Sequence, residues 1–114
     1  MTIKNALASV AVNDIDAAVR WCAKVLARPA DSTSMPGLAE WKFPGWGGLQ
    51  LYALPERAGS CSCTLTISDI DLDLEASRLE KLGVATGAKL GEQVKVFMVK
   101  DPYGNSIAFA QDPT

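Results

Sequence analysis

The chain has 114 residues, enough for one ordinary domain with a real core and too few for two independent ones. Hydrophobic residues make up 48% and charged residues 21%, which is the balance of a globular protein and excludes a disordered one. A net charge of −2 and a pI near 5.0 give no basic surface for nucleic acid or acidic lipid, so neither is expected as a partner.

No apolar run approaches the roughly 20 residues of a bilayer-spanning helix. The first ten residues lack the apolar stretch and cleavage pattern of a signal peptide, so a cytoplasmic protein is expected. Three cysteines, Cys22, Cys61 and Cys63, suit a reduced compartment and read as small buried hydrophobes. The chain contains no histidine. That removes the commonest metal ligand and the commonest general base, and with them any histidine-dependent triad.

Residues Asn5 to Val12 alternate loosely as a strand and end at Asn13-Asp14, a helix cap. Apolar residues then fall at Ile15, Ala18, Val19, Cys22, Val25 and Leu26, the spacing of one helix face, and Pro29 stops the helix. Asp31 to Gly37 reads as a weak edge strand or loop. Leu38 to Phe43 and Gly48 to Leu54 are strand candidates around the turn Pro44-Gly45-Trp46-Gly47. Leu54 to Ser60 reads as a linker.

Cys61 to Ser68 alternates again, with Cys61, Cys63, Leu65 and Ile67 on one side and Ser62, Thr64 and Thr66 on the other. A second helix is expected from about Asp71, with Leu72, Ala76, Leu79 and Leu82 on its apolar face and Gly83 as its stop. Val84 to Lys89 suits a short strand, and Gln93 to Lys100 a longer β-branched one. The chain closes with Asp101-Pro102-Tyr103-Gly104-Asn105, a tight turn feeding a final strand through Gln111.

The two halves repeat one plan. Val12-Asn13-Asp14-Ile15-Asp16 returns as Ile67-Ser68-Asp69-Ile70-Asp71, 55 residues later. The expected fold is therefore α+β, two βαβββ modules whose curved mixed sheets enclose a cavity, with helices on the outer faces. Module 1 covers about 1–54, a linker 55–60, and module 2 about 61–114. Alternation assigns Val10, Val12, Leu49, Leu51, Leu65, Ile67, Ile107 and Phe109 to the helix side. It assigns Leu7, Ser9, Ala11, Gln50, Tyr52, Ser62, Thr64, Thr66, Ser106, Ala108 and Ala110 to the cavity side.

This layout resembles the vicinal oxygen chelate superfamily, which includes glyoxalase I, bleomycin-resistance proteins and extradiol dioxygenases. The resemblance rests on Val12 to Ala18, Trp21-Cys22 and Val25-Leu26 in the first half. In the second it rests on Ile67 to Asp71, Leu82-Gly83 and Asp101 to Asn105. The family commonly has glycine where Ala27 stands. Metal-using members place four ligands on cavity-facing strands, and the resemblance puts those positions at Leu7, Gln50, Ser62 and Ala108. A leucine, an amide, a hydroxyl and an alanine make no divalent-cation site, so no metal and no cofactor is expected.

The resemblance then implies a metal-free small-molecule-binding protein of the bleomycin-resistance type, sequestering a small aromatic or apolar ligand, and a homodimer. Ser9, Gln50, Tyr52, Ser62 and Ser106 are the expected polar contacts. Trp41 and Trp46, flanking a turn, are the expected stacking surfaces, with burial against the other half or a second subunit as the alternative. No catalytic residue is expected: Tyr103 and Asp101 read as turn residues, and Glu40 and Lys42 as exposed edge charges in preference to polar groups at the cavity rim. The rival reading is a metal-dependent lyase, isomerase or dioxygenase of the glyoxalase type. A non-catalytic scaffold is the third.

Overall fold

The computed structural model describes residues 1–45, 47–67, 72–86 and 96–111, with residue 73 described by its backbone alone. Its elements run β1 (Leu7–Val12), α1 (Ile15–Leu26), β2 (Leu38–Lys42), β3 (Gly48–Ala53), β4 (Ser62–Ile67), α2 (Leu72–Lys81), β5 (Val96–Lys100) and β6 (Ser106–Gln111). The chain divides into two compact units, Met1–Cys61 and Ser62–Thr114. The segment expected as a linker carries a short 3-10 turn at Pro55–Arg57 and falls within the first unit.

Each unit holds a three-stranded mixed sheet. The first is ordered β1-β3-β2 and the second β4-β6-β5. In both, the outer strand that precedes the helix runs parallel to the centre, and the other outer strand runs antiparallel to it. An isolated antiparallel bridge, Ser32 to Glu40 in the first unit and Thr86 to Val99 in the second, stands where each module's remaining strand would lie. The expected α+β repeat of two βαβββ modules is what the chain folds into. Residues 68–71, 87–89 and 93–95, which carry parts of the expected second cap and strands, lie outside the described residues.

In the first unit, Asp14 caps α1 by accepting a hydrogen bond from the Ala17 amide at 3.2 Å. Ala18, Cys22 and Val25 form the helix's buried stripe, and α1 packs on β2 and β3. The helix closes unusually. Ala27 sits in the left-handed region at φ 59°, and the Arg28 amide donates to the Ala23 carbonyl at 3.1 Å. In the second unit Gly83, at φ 84°, has the same position. There the Val84 amide donates to the Leu79 carbonyl at 2.9 Å, closing a Schellman turn. Alanine does in one copy what glycine does in the other.

The second unit buries Leu72, Ala76 and Leu79 of α2. It also buries Phe97, Val99, Ile107 and Phe109, with the Phe97 and Phe109 rings stacked at 5.3 Å between centroids. Leu82, expected on the buried helix face, lies past the end of α2 and is exposed. The cysteines divide: Cys22 is buried, whereas Cys61 and Cys63 are only half-buried, so the expectation of three buried thiols holds for one. Cys61 stands just before β4, and its sulfur receives the Ala11 amide of β1 at 3.4 Å.

Candidate functional site

Strand alternation and register define the two faces of the first sheet. Ser9 of β1 lies opposite Gln50 of β3, and Gln50 lies opposite Glu40 of β2. These three side chains form one row across the sheet at about 4.8 Å per strand. The Ser9 hydroxyl donates to Gln50 Oε1 at 3.3 Å. Tyr52, two residues beyond Gln50, shares this face, as do Leu7 and Lys42 on either side of Gly48. The opposite face carries Val10, Leu49, Leu51, Ala39 and Trp41, all buried. It is the face toward the end of α1, because the Trp41 indole N–H donates to the Arg28 carbonyl at 3.1 Å.

That geometry corrects the expectation for Trp41. Its ring is 0% exposed and lies on the opposite face from Ser9 and Gln50, so it is a core residue and offers no stacking surface. Trp46 lies outside the described residues. The remaining expected contacts sit on two sheets. Ser9, Gln50 and Tyr52 share the open face of the first. Ser62 and Ser106 are direct neighbours on β4 and β6 in the second, on the same face as Thr64, Thr66 and Ala108. Glu40, for which the sequence leaves an edge charge or a rim polar group open, is brought beside Gln50. The register of the β2–β3 hairpin is the signal that finds it.

The four positions at which the resemblance implies metal ligands fall on equivalent diagonals. Leu7 pairs with Gly48, two residues from Gln50, and Ser62 pairs with Ser106, two residues from Ala108. Leu7 Cδ2 lies over Gly48, only 2.9 Å from where a Cβ on that glycine would stand, so an isobutyl group covers the strand beside Gln50. Gln50 contributes one neutral oxygen, already accepting from Ser9, and Ser62 one hydroxyl. Hard divalent cations are held by several oxygens, usually with carboxylates among them, so this donor set does not fit one. Among the described residues, no group of three or more His, Cys, Asp or Glu is placed to hold a metal.

A half-open groove of about 420 Å³ lies elsewhere in the first unit, where Ile15, Asp16, Val19 and Arg20 of α1 face Met35 and Pro36. None of the expected contact residues lines it.

The final turn is built around one buried carboxylate. Asp101 Oδ1 accepts the amides of Tyr103 at 3.0 Å and Asn105 at 2.8 Å, and Oδ2 accepts Asn105 Nδ2 at 2.7 Å. Gly104 takes φ 97° between them. The turn is structural, as its sequence suggests, and it delivers β6 with Ser106 and Ala108 on one face and Ile107 and Phe109 on the other.

The chain belongs to the glyoxalase/bleomycin resistance protein family of the vicinal oxygen chelate superfamily. It is 30% identical to a glyoxalase/bleomycin resistance protein from Catenulispora acidiphila DSM 44928, over 96% of this chain and 98% of that one, with a TM-score of 0.81. It is also similar to TnmS3, an antibiotic-binding protein from Streptomyces sp. CB03234, at 26% identity over 97% of this chain and 98% of that one, with a TM-score of 0.74. The oxidase ChaP-H2, at 20% identity over 99% of this chain and 96% of that one, shares the fold with a TM-score of 0.72. A scan of family models and a search of curated proteins gave no match. No helix among the described residues is long and apolar enough to cross a membrane.

Proposed function

We propose that this protein binds a small aromatic or apolar molecule without a metal, in the manner of the bleomycin-resistance branch of its family. Ser9, Gln50 and Tyr52 would meet the ligand on the open face of the first sheet, and Ser62 and Ser106 on the second. The observation that carries this reading is the set Leu7, Gln50, Ser62 and Ala108 at the positions where the family resemblance implies metal ligands. With a side chain of Leu7 laid beside Gln50, that face suits an apolar body with a few neutral hydrogen bonds, the usual make-up of a small-molecule site. The likeness to an antibiotic-binding protein adds support.

The test pairs elemental analysis of the purified protein with amide chemical-shift mapping against a panel of naphthalene and indole compounds. Shifts clustered on β1, β3 and β4 in protein free of transition metal agree with the proposal. Stoichiometric nickel, zinc, iron or manganese would favour a glyoxalase-type lyase, isomerase or dioxygenase. No response to any compound would favour a scaffold. The same reading makes the protein a cytoplasmic homodimer, and sedimentation velocity at about twice the 12.1 kDa chain mass is the expected result.

A further inference from the structure

The geometry points to a basic amine on the ligand, with the Glu40 carboxylate as its counter-ion. This rests on the reading that the open face of the first sheet is the binding surface. Glu40 is held by its backbone alone: its carbonyl accepts the Asp31 and Ser32 amides and its amide donates to Ser32. Its side chain is half-buried and makes no hydrogen bond or ion pair among the described residues. It lies in the same row as Ser9 and Gln50, which do bond each other.

A molecule laid across that row removes water from the carboxylate. Covering an anion without a partner is prohibitive, so the occupant must bring a donor to Glu40, and an ammonium is the strongest. The other charge on this face, Lys42, escapes the same demand. It is exposed at the end of β2 and keeps its ammonium in water along its flexible stem. One strand away, about 5 Å along the row, the Gln50 amide N–H groups have no bond among the described residues. They would meet an acceptor, a hydroxyl or carbonyl oxygen, on the same ligand. The class is therefore an aromatic amine bearing a nearby oxygen, rather than a bare hydrocarbon.

The test titrates 2-naphthylmethylamine and 2-naphthylmethanol, alike in their aromatic body, by calorimetry into the wild-type protein and Glu40→Gln. The amine is expected to bind the wild type about tenfold or more tightly than the alcohol, and the Gln variant to lose that preference. Circular dichroism and the melting temperature of Glu40→Gln should match wild type, since the side chain holds no other element. Equal affinity for the two compounds, or an amine preference that survives Glu40→Gln, would overturn the inference while leaving the binding function intact. Failure of both compounds to bind the wild type would remove the inference together with the reading beneath it.

Discussion

Asp101 and Asn105 hold each other in both directions: the Asp101 carboxylate accepts the Asn105 amide at 2.8 Å and its side-chain Nδ2 at 2.7 Å, and the Asp101 amide donates to the Asn105 carbonyl at 3.0 Å. Asp101 is 8% exposed and Asn105 is 0% exposed, so neither exchanges these bonds for water. Truncating one partner strands the other. Asp101→Ala should lower unfolding free energy by about 2–4 kcal/mol, and Asn105→Ala by about 1–3 kcal/mol. The double variant should cost less than the two losses added, because each single change already breaks the Nδ2 to Oδ2 bond that the two side chains share. Urea denaturation of the four proteins checks this.

Ala27 predicts a gain. An L-residue in the left-handed region is strained by about 1–2 kcal/mol, and glycine is not, although glycine loses more chain entropy on folding. Ala27→Gly should therefore stabilise the protein by about 0.5–1 kcal/mol, read as a melting temperature raised by a few degrees. Gly83→Ala, at the equivalent position of α2, should move it the other way.

Gly48 has no room for a side chain. A Cβ there would stand 2.5 Å from the Trp41 carbonyl oxygen and 2.9 Å from Leu7 Cδ2. The leucine tip can shift, but the backbone oxygen of β2 cannot without breaking its pairing with β3. Gly48→Ala should destabilise by about 1–3 kcal/mol and shift the amide resonances of β2 and β3, observable by two-dimensional NMR.

Asp31 gives the pH prediction. The Lys42 amide donates to its carboxylate at 2.7 Å, and Arg28 bonds the same oxygen at 2.7 Å. The Lys42 amide bond is the largest cause holding this acid below its ordinary value of 3.8; burial opposes it, and the charge and hydrogen bond of Arg28 with the charge of Lys42 add to the lowering. A carboxylate depressed in the folded state adds stability above its unfolded pKa and loses it as pH falls through the folded one. The window therefore lies below about pH 3.8. Carbon-detected titration should give a midpoint under 3.8, and Arg28→Ala should raise it without restoring it fully, because the Lys42 amide remains.

How far the sequence reached depends on the kind of signal. Periodicity with Asp14 at its head located α1 to the residue, and Asp101 to Asn105 marked the closing turn, because those are local chemistry. Trp41 was misplaced because its face depends on where the β2–β3 hairpin folds. Five residues, 43–47, separate the strands, and breakers alone do not say how they are divided. Pairing of Trp41 with Leu49, already assigned to the helix side, settles the face once the register is known. The same register lifts Glu40 from an edge charge to a neighbour of Gln50. Ala27 in the left-handed region runs against alanine's own preference, so only the family's glycine hinted at it.

The metal question has its own variant. Ala108→Glu supplies one carboxylate on the face of the second sheet that carries Ser62 and Ser106, yet Ser62 and Leu7 still provide no strong ligand. Calorimetric titration of nickel or manganese into Ala108→Glu should show no binding tighter than wild type beyond a weak surface carboxylate.

The proposed ligand binding owes nothing to a metal. The most direct test is calorimetric titration of 2-naphthylmethylamine into protein stripped with EDTA, repeated with added manganese, nickel or zinc. One saturable site of the same affinity is expected in every condition. Binding that appears only when a divalent metal is restored would contradict it.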